Sequence, residues 1–351
     1  MRHTIEHSTN FHIMTNIEAK FSLLLVLIIC FTECSTLKHS DKNHSIELPK
    51  YELVKDWLQI PKGTLKQVTG IGIDNNQNIF LFVRTGRVWT DVFPDSLISI
   101  NTVFLFDKET GKIMNSWGAN LFIMPHGLTV DKENNIWITD VGLHQVFKFT
   151  HEGKLLMKLG VAKIPRNDSL HFDLPTDVAV AIDGSFYVSD GYGNSRVIKF
   201  SKEGKYLFEW GKKGKGPGEF NIPHGIELDL QGNVYVADRE NNRIQKFTCD
   251  GKFLKEWKND RAKQLYYVMI DNKNNNLFAT EFFSDTDKVN KGADILLFDS
   301  NLKLLNRFGQ SDVSNNINGK YHDMAIDNNG NIYACDIRNN TIQKFKKIII
   351  K

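Results

Sequence analysis

Residues 124–160 read MPHGLTVDKENNIWITDVGLHQVFKFTHEGKLLMKLG, and the fold is decided in this stretch. An apolar alternation closes on Asp131, a second β-rich run ends at Asp140, a third ends in Lys148-Phe149, and a fourth follows Gly153-Lys154. Polar turns of Asn, Gly and Asp separate them. Period-two alternation broken by such turns reads as four short antiparallel strands. The same phrase returns as LPTDVAVAIDGSFYVSDGYGNSRVIKFSKEGKYLFEWG from Leu174, IPHGIELDLQGNVYVADRENNRIQKFTCDGKFLKEW from Ile222, and KYHDMAIDNNGNIYACDIRNNTIQKF from Lys320. Weaker copies, VTGIGIDNNQNIFLFVR from Val68 and LYYVMIDNKNNNLFATE from Leu265, fill the gaps. No stretch has the pattern of a long amphipathic helix.

Six repeats of roughly 40–50 residues, each a four-stranded sheet, predict an all-β, six-bladed β-propeller. The last copy stops after its third strand, near Lys347, while Tyr51 to Trp57 (YELVKDW) has the pattern of an orphan fourth strand. That N-terminal strand is expected to complete the sixth blade and close the ring, hiding sheet edges that would otherwise be exposed. The propeller is accordingly placed at residues 51–347, preceded by a linker at 37–50 and followed by a short tail at 348–351.

The composition fits this picture. With 351 residues, 41% hydrophobic and 24% charged, the chain is neither disordered, collagen-like nor a multi-pass membrane protein. A net charge of +3 gives no reason to invoke nucleic acid. Phe21 to Phe31 is an apolar run of 11 residues after Lys20, too short to span a bilayer and of the length of a signal-peptide core. A signal region at 1–36 is expected, with an uncleaved anchor as the alternative and Met14 as an internal start. The expected location is secreted or in the secretory-granule lumen, with no stable membrane span after cleavage. Cleavage near Cys34–Leu37 leaves only Cys249 and Cys335, too few for a disulfide framework. The glycosylation triplets at Asn43, Asn167 and Asn339 are compatible with secretion.

Aligning the copies on the aspartates that close their first strands (Asp74, Asp131, Asp183, Asp229, Asp271 and Asp327) brings out a chemical pattern. Copies two, four and six carry His126, His224 and His322 at one position, separated by 98 and 98 residues. Copies one, three and five carry Thr69, Thr176 and Tyr266 there. First strands line the channel of a propeller, so three imidazoles from alternate blades converge on its axis. Three neutral nitrogens with a fourth position open suit a catalytic zinc, against the plainer reading of polar channel lining. Arg84 and Arg239 follow the second strands of copies one and four, where other copies have Val141, Gly191, Phe282 and Ile337. They suggest recognition of a carboxylate, or, for Arg239, pairing with Asp238 or Glu240. Arg196 and Arg243 fall in the shared Asn-x-Arg turn and are expected to be structural. Tyr192 sits in a one-residue insertion, Gly191-Tyr192-Gly193, whose glycines permit unusual backbone angles. Beside a dication and two arginines its phenol would have a lowered pKa and suit a general base; otherwise it is a packing residue on a bulge.

The segments SDGYGNSR, VADRENNRIQKF and LFVRTGRVW, the two Pro-His motifs and the Tyr-His-Asp copy resemble peptidyl-α-hydroxyglycine α-amidating lyases, which are NHL-repeat propellers. The resemblance runs from about Val68 to Phe345. It implies zinc on His126, His224 and His322, Tyr192 as the base, and Arg84 and Arg239 in substrate binding and catalysis. It also implies a structural calcium held by the Asp323 carboxylate and the backbone carbonyls of Ile71 and Leu128. The implied reaction is carbon–nitrogen lysis of a C-terminal peptidyl-α-hydroxyglycine to a peptide amide and glyoxylate. A separate peptidylglycine α-hydroxylating monooxygenase is the implied functional partner. Three departures stand out. Gly193 and Asp173 occupy the positions of one disulfide of vertebrate relatives, Tyr235 and Lys246 those of a second, and Lys320 replaces a methionine near the site. The alternatives are a lactonase- or esterase-type propeller, which centres calcium on acidic and Asn ligands, and a non-catalytic NHL interaction module.

Overall fold

The computed structural model describes residues 48–348 apart from 56, 59–62, 262–263, 284–291 and 310–318. The expected signal region, the linker up to residue 47, the Asn43 triplet and residues 349–351 lie outside the described residues. The repeats fold as six antiparallel four-stranded sheets. Blade 1 comprises Val68–Ile73, Ile79–Val83, Val103–Phe106 and Ile113–Trp117; blade 2, Pro125–Val130, Ile136–Asp140, Gln145–Phe149 and Leu155–Leu159. Blade 3 comprises Pro175–Val180, Phe186–Asp190, Arg196–Phe200 and Tyr206–Trp210; blade 4, Pro223–Leu228, Val234–Asp238, Arg243–Phe247 and Phe253–Lys258. Blade 5 comprises Gln264–Asp271, Asn276–Phe282, Ala293–Phe298 and Leu304–Gly309. Blade 6 joins Tyr321–Ile326, Ile332–Asp336 and Thr341–Ile348 to the N-terminal strand Lys50–Val54.

The two recurring acids of the phrase have separate jobs. The aspartate that closes a first strand caps the following turn: Asp74, Asp131, Asp229 and Asp327 each accept the N–H of the residue four positions on, at 2.8–2.9 Å. The acid that closes a second strand reaches back to fasten the loop entering the first. Asp140 accepts the N–H groups of Ile123 and Met124, Asp190 that of Asp173, Asp238 that of Asn221, and Asp336 that of Lys320. These bonds fix the residues just ahead of the first strands of blades 2, 3, 4 and 6, three of which carry the histidines.

Packing holds the ring together. Second strands such as Ile136–Asp140 are buried along their whole length, because neighbouring blades cover both faces, whereas outer strands such as Leu155–Leu159 lie largely at the surface. Six apolar clusters form, one at each junction between blades. The cluster between blades 1 and 6 joins Val68, Ile79 and Leu81 to Tyr333, Cys335 and Ile342, so closure is a full interface. In the closing strand Tyr51 lies opposite Lys347 and Leu53 opposite Phe345, and the Tyr51 ring packs on the cluster between blades 5 and 6, stacked on Phe308 at 4.5 Å. The closing strand is shorter than expected: pairing ends at Val54. Trp57 leaves the sheet, packs edge-on against Tyr333 at 5.0 Å, and donates its indole N–H to the Lys108 carbonyl. Deleting residues up to 55 should therefore lower the melting temperature or cause aggregation, because the edge of Thr341–Ile348 is bared. Deletion up to residue 40 should leave it unchanged; equal melting of the two truncations would refute closure by this strand.

Arg196 and Arg243 are structural, as expected from their place in the repeat. Arg243, almost fully buried, binds Asp238 at 2.7 Å and Glu256 at 2.8 Å and donates to the carbonyls of Lys215, Gly216 and Glu219. Arg196 pairs with Asp190 and Glu209 in the same way. Arg243→Ala should cost about 3–5 kcal/mol in urea unfolding, since Asp238 would be left as an unpaired buried charge.

Candidate functional site

His126, His224 and His322 meet on the channel axis. Their ring centroids are 4.7–4.8 Å apart, and one ring nitrogen of each lies within 4.8 Å of the others. Each Nδ1 faces a backbone carbonyl of the next blade: His126 that of Thr176 at 2.7 Å, His224 that of Tyr266 at 2.8 Å, and His322 that of Thr69 at 2.7 Å. A carbonyl only accepts, so each Nδ1 carries the hydrogen and each Nε2 presents a lone pair. Burial, reinforced by nearby positive charge, holds all three pKa values well below 6.5, so the rings are neutral at physiological pH. The Tyr192 hydroxyl lies 3.0 Å from the Nε2 atoms of both His126 and His224. One phenol proton satisfies only one of those two acceptors. Three neutral imidazoles, oriented by carbonyls and left with surplus lone pairs, fit a metal ion.

Tyr192 is held by contacts that the sequence could not reveal. Its hydroxyl accepts a bond from Arg239 Nη1 at 3.1 Å, and its ring packs on Trp89 at 4.6 Å. Arg239 lies over the Tyr192 and Tyr266 rings and pairs with Glu240 at 2.9 Å. The pairing reading therefore holds for Glu240, while the guanidinium Nη1 faces Tyr192. Arg84 is buried, donates its Nε hydrogen to the Pro125 carbonyl at 2.9 Å, and lies over the Trp89 ring. The guanidiniums of opposite blades thus flank one tyrosine. The expected lowering of the Tyr192 pKa is not produced by the protein's own groups. Burial raises it above 10, and Arg239 and Arg84 offset only part of that rise.

The insertion also works differently from the expectation. Neither Gly191 nor Gly193 has a left-handed backbone; each is required by close approach. A Cβ on Gly191 would stand 2.1 Å from the Pro223 carbonyl oxygen, and one on Gly193 would stand 2.0 Å from Asp173 Cγ. Gly193 N–H donates to the Asp173 carbonyl at 3.0 Å, so a hydrogen bond ties together the two positions at which the sequence resemblance marked a missing disulfide. At the second such place Tyr235 and Lys246 are cross-strand partners, with the ammonium 4.8 Å from the ring centre.

Further along the channel lie the residues expected for calcium. Asp323 accepts the Ile71 N–H at 3.1 Å, and Gly70, beside Ile71, abuts Leu128 of blade 2. Two acids that the sequence reading missed join them. Asp177 accepts the Ile226 N–H at 3.0 Å, and Glu227 lies within electrostatic reach of both aspartates. Burial pushes Asp177 up to about 8 and Glu227 up to about 7, and burial plus the Asp177 charge hold Asp323 well above the usual carboxylate range. The histidines, Asp177, Asp323 and Tyr267 enclose a cavity of about 10 Å³, the space of a single water or ion. Hard oxygen ligands whose charges repel one another suit a divalent cation such as calcium. Trp89 belongs to a long, non-repeating loop in blade 1, and with Phe93, Ile123 and Leu174 it lines a cleft of about 490 Å³ beside Tyr192.

A family model described as a six-bladed β-propeller matches residues 167–350, more than half of the chain, and an NHL-repeat model matches residues 122–149. The chain is 42% identical over 205 residues to peptidyl-glycine alpha-amidating monooxygenase B of Xenopus laevis, covering 53% of this chain and 23% of that protein. It is 40% identical over 194 residues to a probable peptidyl-alpha-hydroxyglycine alpha-amidating lyase of Caenorhabditis elegans, covering 52% of this chain and 55% of the relative. The matched region thus spans about half, or less, of these relatives. Among solved structures, a streptogramin B lyase superposes with a TM-score of 0.56 at 14% identity, covering 85% of this chain and 98% of that one, a likeness of fold alone.

Proposed function

We propose that this chain, which belongs to the six-bladed β-propeller family, is a zinc-dependent lyase that cleaves C-terminal peptidyl-α-hydroxyglycine to a peptide amide and glyoxylate. The observation that carries this reading is the Tyr192 hydroxyl, set 3.0 Å from two of three converging imidazoles and 3.1 Å from Arg239. The similarity to lyases of that name supports it. His126, His224 and His322 would hold the ion, which when bound supplies Lewis-acid polarisation of the substrate hydroxyl and positive charge beside the phenol. Arg84 and Arg239 bind the glycine carboxylate and orient the carbinol carbon toward Tyr192. Ionised to the phenolate, Tyr192 takes the hydroxyl proton; the O–H electrons form the aldehyde C=O as the N–Cα bond breaks, and the same proton is returned to the departing amide nitrogen, which restores the phenolate. Upstream peptide residues run over the Trp89 cleft. A hydroxylase acting on peptidylglycine must supply the substrate, and the apolar run at Phe21–Phe31 supports a place in the secretory pathway. The test is glyoxylate release from a synthetic peptidyl-α-hydroxyglycine: turnover should vanish on treatment with a zinc chelator and return with zinc. Undiminished turnover in metal-free protein would overturn the zinc role.

The carboxylate group of Asp177, Glu227 and Asp323 is assigned to a structural calcium, with the carbonyls of Ile71 and Leu128. The folded-state pKa values of Asp177 and Glu227, about 8 and about 7, stand above the ordinary 3.8 and 4.5. The folded chain therefore holds these protons after the unfolded chain has lost them. Calcium-free protein should lose stability as pH rises from about 4 to about 8. Calcium requires the ionised acids, so it should raise the melting temperature strongly at pH 8 and little at pH 5. A melting temperature at pH 8 that is indifferent to calcium and to a calcium chelator would contradict the assignment.

A further inference from the structure

Lys320 stands immediately ahead of the blade 6 strand that carries His322, its backbone pinned by the Asp336 carboxylate. Its ammonium is 5.0 Å from the Tyr266 ring centre and 4.8 Å from that of Phe282, and it forms no ion pair with a carboxylate among the described residues. It is close enough to Tyr192, Arg239 and Arg84 for their charges to interact. The two aromatic rings hold a flexible side chain in one direction, over the site.

Charge arithmetic then points to a second anion. Arg84, Arg239, Lys320 and Arg338, the last over the same Phe282 ring, bring four positive charges, and Glu240, bound to Arg239, and Asp140, within electrostatic reach of Arg84, return two negative charges. The terminal carboxylate of a hydroxyglycine substrate neutralises one of the remaining two. A metal on the histidines only enlarges the excess. We infer that Lys320 is a specificity-determining residue, and that it favours substrates with an acidic side chain immediately before the hydroxyglycine. This rests on the lyase reading for the position of the terminal residue. The Asp or Glu side chain of that residue would bring its carboxylate to the ammonium beside Tyr266.

The experiment compares peptides ending in Glu-hydroxyglycine and Gln-hydroxyglycine, which differ in charge but hardly in size. In the native protein kcat/KM should favour the Glu peptide by about fivefold at low salt, within the usual range of a partly exposed ion pair. That preference should shrink at 0.5 M salt (~4 Å screening length). K320M should bring the ratio to about one, and K320R should keep it. Calorimetric binding of the unhydroxylated Glu-Gly and Gln-Gly peptides reads the same subsite without turnover. Glu preference in binding with cleavage of neither hydroxyglycine peptide would overturn the lyase reading and leave the subsite standing. A native ratio near one in both assays, or an unchanged ratio in K320M, would overturn the assignment of Lys320.

Discussion

His224→Ala should strip the channel of its metal and reduce lyase turnover to background while the chain stays folded. On the proposed reading the imidazole is one of three ligands, and two imidazoles alone hold zinc poorly at neutral pH. The fold does not depend on it: the six junction clusters are built from other residues, and the strand Pro223–Leu228 keeps its pairing with Val234–Asp238. Removing a buried side chain of this size typically costs 0.5–3 kcal/mol, roughly a modest drop in melting temperature. Metal analysis of the purified variant checks the expectation directly. Stoichiometric zinc in folded His224→Ala would refute the three-histidine assignment, since His126 and His322 would then suffice.

Tyr192→Phe should cost about 10²–10⁴-fold in kcat, or roughly 3–5 kcal/mol of transition-state stabilisation. Only the phenol oxygen is removed, so the packing on Trp89, the backbone bonds to Asp173 and the metal content should survive. KM should change little, because Arg84 and Arg239 are assigned to the carboxylate. The variant also tests the electrostatics of the site. A phenol is protonated at neutral pH and burial raises the Tyr192 pKa further, so a proton acceptor at this position depends on positive charge beyond the two arginines. A metal-loaded Tyr192→Phe enzyme with kcat within about threefold of the native value would show that the insertion is structural and the base lies elsewhere.

The fold was legible because a propeller repeats its grammar. Alternation gave the strands, the capping aspartates gave the turns, and one shared phase put His126, His224 and His322 at equivalent channel positions. The same alignment singled out Thr69, Thr176 and Tyr266, and their carbonyls prove to be the acceptors that orient the three imidazoles. What alignment could not supply were features that occur once. Asp177 and Asp323 follow Thr176 and His322 at one equivalent position, so the alignment could have paired them, whereas Glu227 has no acidic counterpart in the other copies and joins them only when the ring closes. Trp89 lies in a loop with no counterpart in the other blades. The rise that burial gives Tyr192 in the absence of a metal was not legible for a related reason: charges can be counted in a sequence, whereas desolvation depends on packing. Closure by the N-terminal strand was readable from its pattern, but its end was not, since Trp57 has a competing aromatic partner in Tyr333.

The most direct measurement is a product balance on a synthetic peptide ending in α-hydroxyglycine, followed by mass spectrometry and an aldehyde assay. The account expects one C-terminal peptide amide and one glyoxylate for each peptide consumed, at a rate far above the uncatalysed reaction and lost in Tyr192→Phe. Peptide consumed with a free C-terminal acid as product, or no consumption above background by zinc-loaded protein, would contradict it.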